Sequence, residues 1–218
     1  MPARLVITAT GSEIAKLFGL AHEVELKARY NVAPPQPVPV IRVVNGVRGL
    51  AELRWGLIPH WSGDPPGEAH VNARAETVSR KPSFRDAFRA RRCLVFANGF
   101  YGWKPGAKRK QPYYFRRRDG GLLVCAAIWD RWTGLEEYLE TVAVLTMPSN
   151  ELVMPVDERM PVIIAEEHFT AWLDPKEANP AKWITPLKPY PAEQMECWPV
   201  STRVNSPTED DPELLTPL

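Results

Sequence analysis

The chain has 218 residues, 44% of them hydrophobic and 24% charged, which is the composition of a globular protein with a core and excludes a disordered chain. Its 27 Lys and Arg residues almost balance 26 Asp and Glu residues and leave a net charge of +1, so binding to nucleic acid would need a local basic patch. Three widely separated cysteines, Cys93, Cys125 and Cys197, match neither a disulfide framework nor a metal site and predict buried thiols in a reducing compartment.

The first third of the chain predicts a strand, a short helix and a hairpin. An apolar, β-prone run from Leu5 to Ala9 predicts the strand. Ser12 is the predicted N-cap of the helix, because apolar residues follow it at helical spacing. The hairpin is predicted from two β-prone runs, Val38 to Val44 and Val47 to Trp55, which flank Asn45-Gly46, a dipeptide suited to a two-residue turn.

The rest of the chain predicts mainly strands. Ser83 to Ala90 should form a helix with Phe84 and Phe88 toward the core and two arginines on another side. A second helix is predicted at Glu166 to Leu173, before a Pro-rich connection at Ile184 to Pro191. Turns are predicted at Asn98-Gly99 and Asp119 to Gly121, and strands at Cys93 to Ala97, Phe100 to Lys104, Tyr113 to Arg116, Leu122 to Trp129 and Thr141 to Thr146.

These elements predict an α+β fold that is mainly β. We expect one domain over residues 1–218, with a strongly bent mixed sheet or barrel-like core and a few covering helices. No leader peptide and no apolar run of membrane length is recognised, so a cytosolic protein is expected. The expected oligomeric state is a monomer. The histidines lack metal-ligand spacing and no phosphate-binding Gly-rich loop occurs, so neither a metal nor a cofactor is predicted.

Six segments combine turn residues with polar and aromatic side chains. In chain order they are Arg29 to Pro34, Trp55 to Trp61, Asn72 to Thr77, Phe96 to Trp103, Arg159 to Val162 and Val200 to Asn205. Together these segments resemble the SOS response-associated peptidase family, the abasic-site-processing (SRAP) proteins. The resemblance runs in order from Arg4 to Asn205, and a series of motifs in one order is more specific than any single short match.

The resemblance implies a protein of the DNA damage response that binds single-stranded DNA and links covalently to the aldehyde of an abasic site. In the family, residue 2 is a cysteine whose amine condenses with the aldehyde and whose thiol closes a five-membered ring, while an Asn, a Glu and a His handle protons. Those positions correspond here to Pro2, Asn72, Gly102 and Asp157, the last followed by Glu158. Only Asn72 keeps the family's residue, so crosslinking and autocatalytic peptidase activity both lack their nucleophile.

The resemblance also marks residues for contact with DNA. Arg4 and Arg74 are candidates for phosphate contacts, because a guanidinium binds phosphate through paired hydrogen bonds; the alternative for such an arginine is a carboxylate partner such as Glu76. Trp61 and Trp103 are candidates for stacking on unpaired bases, although aromatic residues belong more often to the core. Asn31 and Pro34, in the first matching segment, complete the predicted DNA-binding set.

Three functions remain open at this point. The leading hypothesis is a pseudoenzyme of the SRAP family that binds single-stranded or abasic DNA. The second is a Schiff-base lyase in which the secondary amine of Pro2, exposed after removal of Met1, attacks the abasic aldehyde. The third is an interaction protein that reuses the fold without binding DNA. The basic runs Lys108 to Lys110 and Arg116 to Arg118 are interpreted as solvated hairpin surface that can add salt-dependent attraction to DNA.

Overall fold

The computed structural model describes residues 3–63, 67–106, 109–135, 138–177, 179, 182 and 188–218. Its helices are α1 (Gly11–Phe18), α2 (Pro82–Ala90) and α3 (Phe169–Leu173). Its strands are β1 (Leu5–Ile7), β2 (Arg29–Val32), β3 (Pro37–Val44), β4 (Val47–Trp55), β5 (Asn72–Arg74), β6 (Arg92–Ala97), β7 (Gly99–Lys104), β8 (Gln111–Arg117), β9 (Leu123–Thr133), β10 (Tyr138–Pro148), β11 (Arg159–Pro161) and β12 (Met195–Pro199). Short 3-10 turns lie at Glu166–His168, Ala192–Gln194, Thr202–Asn205 and Pro212–Leu215.

Five strands close into a barrel. They follow the order β10, β4, β3, β6 and β9, and β9 pairs back onto β10. The pairing of β10 with β4 is parallel, whereas the other pairs of the barrel are antiparallel. Beyond the barrel, β5 and β11 both pair with the later part of β10. The predicted mainly β, barrel-like core with a few covering helices is therefore confirmed.

A second sheet has the order β12, β8, β7, β1 and β2. The chain passes from the barrel into this sheet at Asn98, because β6 pairs with β3 and β9 while β7 pairs with β1 and β8. The predicted turn at Asn98-Gly99 corresponds to a bend at Asn98 that joins strands of different sheets. The Asn98 side chain accepts the backbone N–H groups of Thr8 and Ala9 at 2.7 and 3.0 Å. Gly99 is needed for close approach, since a Cβ there would lie 2.4 Å from the carbonyl oxygen of Phe115.

The helices cover the barrel with apolar faces. In α2, Phe84 and Phe88 are buried as predicted, and Arg85 and Arg89 are exposed. The N-cap of α1 is Thr10 and not Ser12. Thr10 and Glu13 form a capping box that satisfies one backbone N–H at each of the two residues. Ser12 would place the helix start two residues too late.

The C-terminal segment covers a second apolar cluster beside the smaller sheet. This cluster consists of Val6, Tyr101, Tyr114, Val200, Val204 and Leu214. Arg203 fixes the segment through ion pairs with Glu209, Asp211 and Glu213. Asp210 accepts the backbone N–H groups of Tyr30 and Asn31 in β2. The two ends of the described chain are thus joined directly.

The described thiols are free and sheltered. Cys93 and Cys125 are buried and Cys197 is half-buried. Burial raises the pKa of Cys125 to about 12, so this thiol is not ionised at neutral pH and is a poor nucleophile. Across the described ranges, no helix is long and apolar enough to cross a membrane.

Candidate nucleic-acid interface

Gly102 lies in β7 on the face opposite Tyr101 and Trp103, because side chains alternate along a strand. A Cβ at Gly102 would lie 3.1 Å from Cγ1 of Val156 and 3.2 Å from Cε2 of Phe115. Both distances are shorter than ordinary contacts between carbon atoms. Two buried apolar side chains therefore fill the space beside residue 102, where the resemblance implies a glutamate.

The segment after Val156 brings position 157 close to position 102. Asp157 is half-buried, and its Oδ1 accepts the backbone N–H of Arg159 at 3.1 Å. Glu158 is exposed, and its carbonyl oxygen accepts the N–H of Ser149 at 3.0 Å. Val156, the residue before Asp157, packs against position 102, and both marked positions carry residues other than the family's.

β5 presents Asn72 and Arg74 on one face, two residues apart, with Ala73 buried between them. Asn72 is half-buried and Arg74 is exposed. In the parallel pairing with β10, Arg74 lies opposite Thr146, so their side chains share a face. The exposed Arg74 guanidinium lies close enough to Glu76 to lower the pKa of that carboxyl.

The bidentate partner of Glu76 is Arg159, not Arg74. The guanidinium of Arg159 donates to the two carboxylate oxygens at 3.0 and 2.8 Å, and its Nε donates to Oγ1 of Thr146 at 3.1 Å. Burial acts to raise the pKa of Glu76, but the hydrogen bonds and charge of Arg159, with a smaller contribution from Arg74, lower it overall. The carboxylate of Glu76 therefore stays ionised. Its ion pair with Arg159 joins the segment after β5 to β11, on the other side of β10.

Arg4 and Asn31 bind each other and the C-terminal segment. The Arg4 guanidinium donates to Oδ1 of Asn31 at 2.8 Å and to the carbonyl oxygens of Val204 and Asn205 at 2.7 and 3.0 Å. Burial lowers the pKa of Arg4, although an arginine remains a cation. Asn31 is 1% exposed, and its amide donates to three carbonyl oxygens of the C-terminal segment. Its geometry suits positioning of Arg4, and its contact with DNA stays a prediction.

Trp103 borders an open cleft on the surface. The cleft has a volume of about 490 Å³ and is lined by Trp103, Arg109, Lys110, Thr202 and Asn205. Nε1 of Trp103 donates to Oδ1 of Asn205 at 2.7 Å, and the Arg4 guanidinium carbon lies 5.9 Å from the centre of its ring. The half-buried ring is therefore held at the edge of a basic cleft, and it also packs against the second apolar cluster.

The other residues of the predicted DNA-binding set are spread over the surface. Trp61 is 56% exposed, so the core alternative does not apply to it. Pro34 is half-buried in the bend after β2, in a cis peptide bond with Pro35. Pro2 lies outside the described residues. The backbone that follows it is placed beside position 102, because the Arg4 carbonyl accepts the N–H of Tyr101 at 3.1 Å.

Comparison with known sequences decides the family. The sequence profile of the family described as SOS response associated peptidase (SRAP) matches residues 1–207. The chain belongs to the SRAP family. The abasic site processing protein YoqW of Bacillus subtilis is 40% identical over 196 residues, which cover 88% of each chain. The abasic site processing protein YoaM of the same organism is 39% identical over 194 residues, covering 88% of this chain and 86% of its own.

The SRAP fold is also found among solved structures. A crystal structure of a protein from Bacteroides thetaiotaomicron matches this chain with a TM-score of 0.85 and 29% identity, covering 99% of both chains. The fold of this chain, over nearly its whole length, thus also occurs in a solved structure.

Sequence reasoning missed three features of this SRAP site. Val156 and Phe115 fill the space at position 102, and nothing in the local sequence signals that the turn before β11 packs on β7. The partnership of Arg159 with Glu76 was also missed, although both belong to segments that carry the resemblance. Arg109 is exposed, as predicted for solvated hairpin surface, but its place in the lining of the cleft of Trp103 was not predicted. Within the described residues, no group of His, Cys, Asp and Glu side chains is arranged to hold a metal ion.

Proposed function

We propose that this chain binds single-stranded DNA containing abasic sites and does not form the stable ring that the family resemblance implies. The observation that carries the proposal is the cleft in which the ring of Trp103 stands beside Arg109 and Lys110. Proteins that bind single strands combine cations along the backbone with aromatic rings on which bases stack. The names of the relatives, abasic site processing proteins, favour DNA as the ligand.

The basic and aromatic side chains of this surface have separate roles in DNA binding. Arg109, Lys110 and the exposed Arg74 attract phosphates. Trp103 stacks against an unpaired base, and Arg4 holds the ring from the side of the C-terminal segment. Trp61, which is exposed on a different loop, offers a second stacking surface.

No stable covalent link to DNA is expected, because the sequence lacks the thiol and the glutamate that would form it. Residue 2 is a proline, whose secondary amine has no thiol with which to close a ring. The space beside residue 102 holds Val156 and Phe115 in place of a carboxylate. A Pro2 amine could still form a reversible iminium ion with the aldehyde, which is the chemistry of the lyase alternative.

The experiment compares binding and adduct formation on the same DNA. Fluorescence anisotropy with a labelled single strand carrying one abasic site should give an affinity that falls with salt, with a slope of about −0.7 for each phosphate neutralised. Trp103→Ala should weaken binding by about 1–3 kcal/mol through loss of stacking. Trp103→Phe is the matched control, because it keeps an aromatic ring and loses only the hydrogen bond to Asn205.

Denaturing gels separate the remaining possibilities. After heating, no adduct should survive when borohydride is omitted. A heat-stable adduct without reductant would refute the noncovalent proposal. An adduct trapped only with borohydride and accompanied by strand cleavage would support the lyase. Weak binding whose affinity does not change with salt would support an interaction protein.

A further inference from the structure

The loop from 57 to 63 is rigidly held although it carries an exposed tryptophan at its tip. Three hydrogen bonds tie it to β9 and β10: Ile58 N–H to Oγ1 of Thr141 at 2.9 Å, His60 N–H to Oδ2 of Asp130 at 3.0 Å, and Nε1 of Trp132 to the Ser62 carbonyl at 3.1 Å. Trp61 is nevertheless 56% exposed. A large apolar ring that is displayed by a fixed loop is preorganised for contact with another molecule.

Asp130 is the group that organises this loop. Its side chain is 3% exposed, and burying a carboxylate is costly unless it is paired and hydrogen-bonded. Oδ2 accepts both the backbone N–H of His60 and its ring Nδ1, the latter at 3.1 Å. Oδ1 accepts the N–H of Arg131 at 2.8 Å and lies 3.0 Å from Nε of Arg91. One carboxylate therefore fixes Arg91 and the residue next to Trp61 at the same time.

Arg91 retains donors after its contact with Asp130. A guanidinium has five N–H groups in a planar fork, and Asp130 faces the Nε side. The side chain is 28% exposed, and its Nη2 lies 3.4 Å from Nδ1 of His60. Arg91 is thus an oriented cation beside a fixed loop and has N–H groups to spare for a second anion.

The surroundings of Arg91 favour an anionic partner. Arg91 follows directly after α2, whose Arg85 and Arg89 are exposed. Asp86, also in α2, lies 3.6 Å from Arg85. The charged side chains that α2 carries near Arg91 are therefore mainly positive.

The loop is also tied to the row of residues in β5. Leu57 and His70 form a backbone bridge with two hydrogen bonds of 2.9 Å. His70 stands two residues before Asn72, and its ring packs against Phe84 of α2 at 5.1 Å between centroids. The loop, α2 and β5 therefore form one connected surface.

We propose that Arg91 binds a phosphate of the single strand whose base stacks on Trp61, and that Asp130 is a positioning residue that holds both in register. This inference rests on the proposed function and adds a further phosphate contact to it, separate from Arg74 and from the cleft of Trp103. The partner is a polynucleotide, since the site offers a cation for phosphate next to a surface for a base.

The test measures the salt dependence of binding to a fluorescein-labelled oligothymidylate. Arg91→Gln should weaken binding by about tenfold at low salt, as expected for loss of a charged hydrogen bond, and should lower the salt slope by about 0.7. Arg91→Lys keeps the charge and loses the fork, so it should retain the slope and bind more weakly than the parent protein. Lys16→Gln removes the same charge from the exposed side of α1 and should change neither quantity.

The positioning role of Asp130 needs a readout that a purely structural role would not change. Asp130→Asn should weaken binding severalfold in the parent protein and by less than about twofold in the Arg91→Gln background, because coupled residues are not additive. Equal losses in both backgrounds would overturn the positioning role. The Tm of each variant is measured as a control for folding. If Asp130→Asn is unfolded, the comparison of Arg91→Lys with Arg91→Gln decides the proposal.

The two proposals fail in different ways. If the parent protein does not bind the oligothymidylate, the proposed function itself is wrong. If the parent protein binds and Arg91→Gln behaves like Lys16→Gln in affinity and slope, the phosphate contact of Arg91 is refuted while DNA binding stands.

Discussion

The packing around Gly102 predicts that even one added methyl group destabilises the protein. In Gly102→Ala the new Cβ would lie 3.1 Å from Val156 and 3.2 Å from Phe115. Val156 is a short branched side chain, and the Phe115 ring is stacked on Phe100 at 5.1 Å, so neither can swing away easily. Overpacking lowers the free energy of unfolding by about 1–3 kcal/mol. Replacing a glycine in a strand raises it by about 0.5–1 kcal/mol.

The net expectation is a loss of about 1 kcal/mol, which corresponds to a fall in Tm of about 2–4 °C for a domain of this size. Val156→Ala alone removes two buried methyl groups and should cost about 1.6 kcal/mol. The double variant should be less destabilised than the sum by about 1 kcal/mol, because the smaller side chain makes room for the new methyl group. Urea denaturation of the four proteins measures this coupling. A higher Tm for Gly102→Ala, or strictly additive effects, would refute the packing argument.

The same contacts limit any attempt to restore covalent chemistry. Pro2→Cys, Gly102→Glu and Asp157→His supply the groups that the family resemblance implies, but the glutamate must enter space that Val156 occupies. We expect a heat-stable adduct with abasic DNA to form faster when Val156→Ala is added to these three changes. Gel assays of the folded triple and quadruple variants test this, and equal rates would mean that Val156 is no obstacle.

Three further predictions concern the polar residues around this site. Arg74→Ala should lower the salt slope of single-strand binding by about 0.7 and leave Tm unchanged within the scatter expected for a surface change; an unchanged slope would mean that Arg74 contacts no phosphate. Glu76→Gln should reduce the free energy of unfolding at neutral pH by up to about 1 kcal/mol. In denaturation curves this difference should shrink as the pH falls below the ordinary pKa of a glutamate and vanish once it is below the lowered pKa of Glu76 in the folded protein, where the carboxyl is protonated in both states. Asn31→Ala should cost about 2–3 kcal/mol and speed tryptic cleavage near Arg203, whereas cleavage at the parent rate would contradict the anchoring role of Asn31.

Local sequence signals predicted elements well and their partners poorly. The hairpin around Asn45-Gly46 and the burial of Phe84 and Phe88 follow from turn chemistry and helical periodicity, and all are present. The closure of β9 onto β10 and the parallel pairing of β10 with β4 depend on contacts between distant segments. Such pairings leave no trace in a window of ten residues, so the class of fold could be predicted and its connectivity could not.

The candidate site divides in the same way. The exposed Arg74 and Trp61 stand where motif matching placed DNA contacts, and those roles stay predictions. The N-cap at Thr10 was missed because Ser12 offers a similar hydroxyl, and only Thr10 has a glutamate three residues later. Asn31 resembled a ligand contact because it is polar in a matching segment, yet its amide is buried among carbonyl oxygens.

The bonds that join Arg4 and Asn31 to residues 204–210 have a consequence for biosynthesis. Arg4 is made first, but the carbonyl oxygens that orient its guanidinium lie about two hundred residues later in the chain. The amino end emerges from the ribosome long before those residues do. β1 and β2 of the nascent chain therefore remain incompletely anchored until residues 204–210 are available. The contacts of Arg4 and Asn31 can therefore form only after residues 204–210 have been synthesised, and their assembly should be slow compared with that of the local hairpin from Pro37 to Trp55.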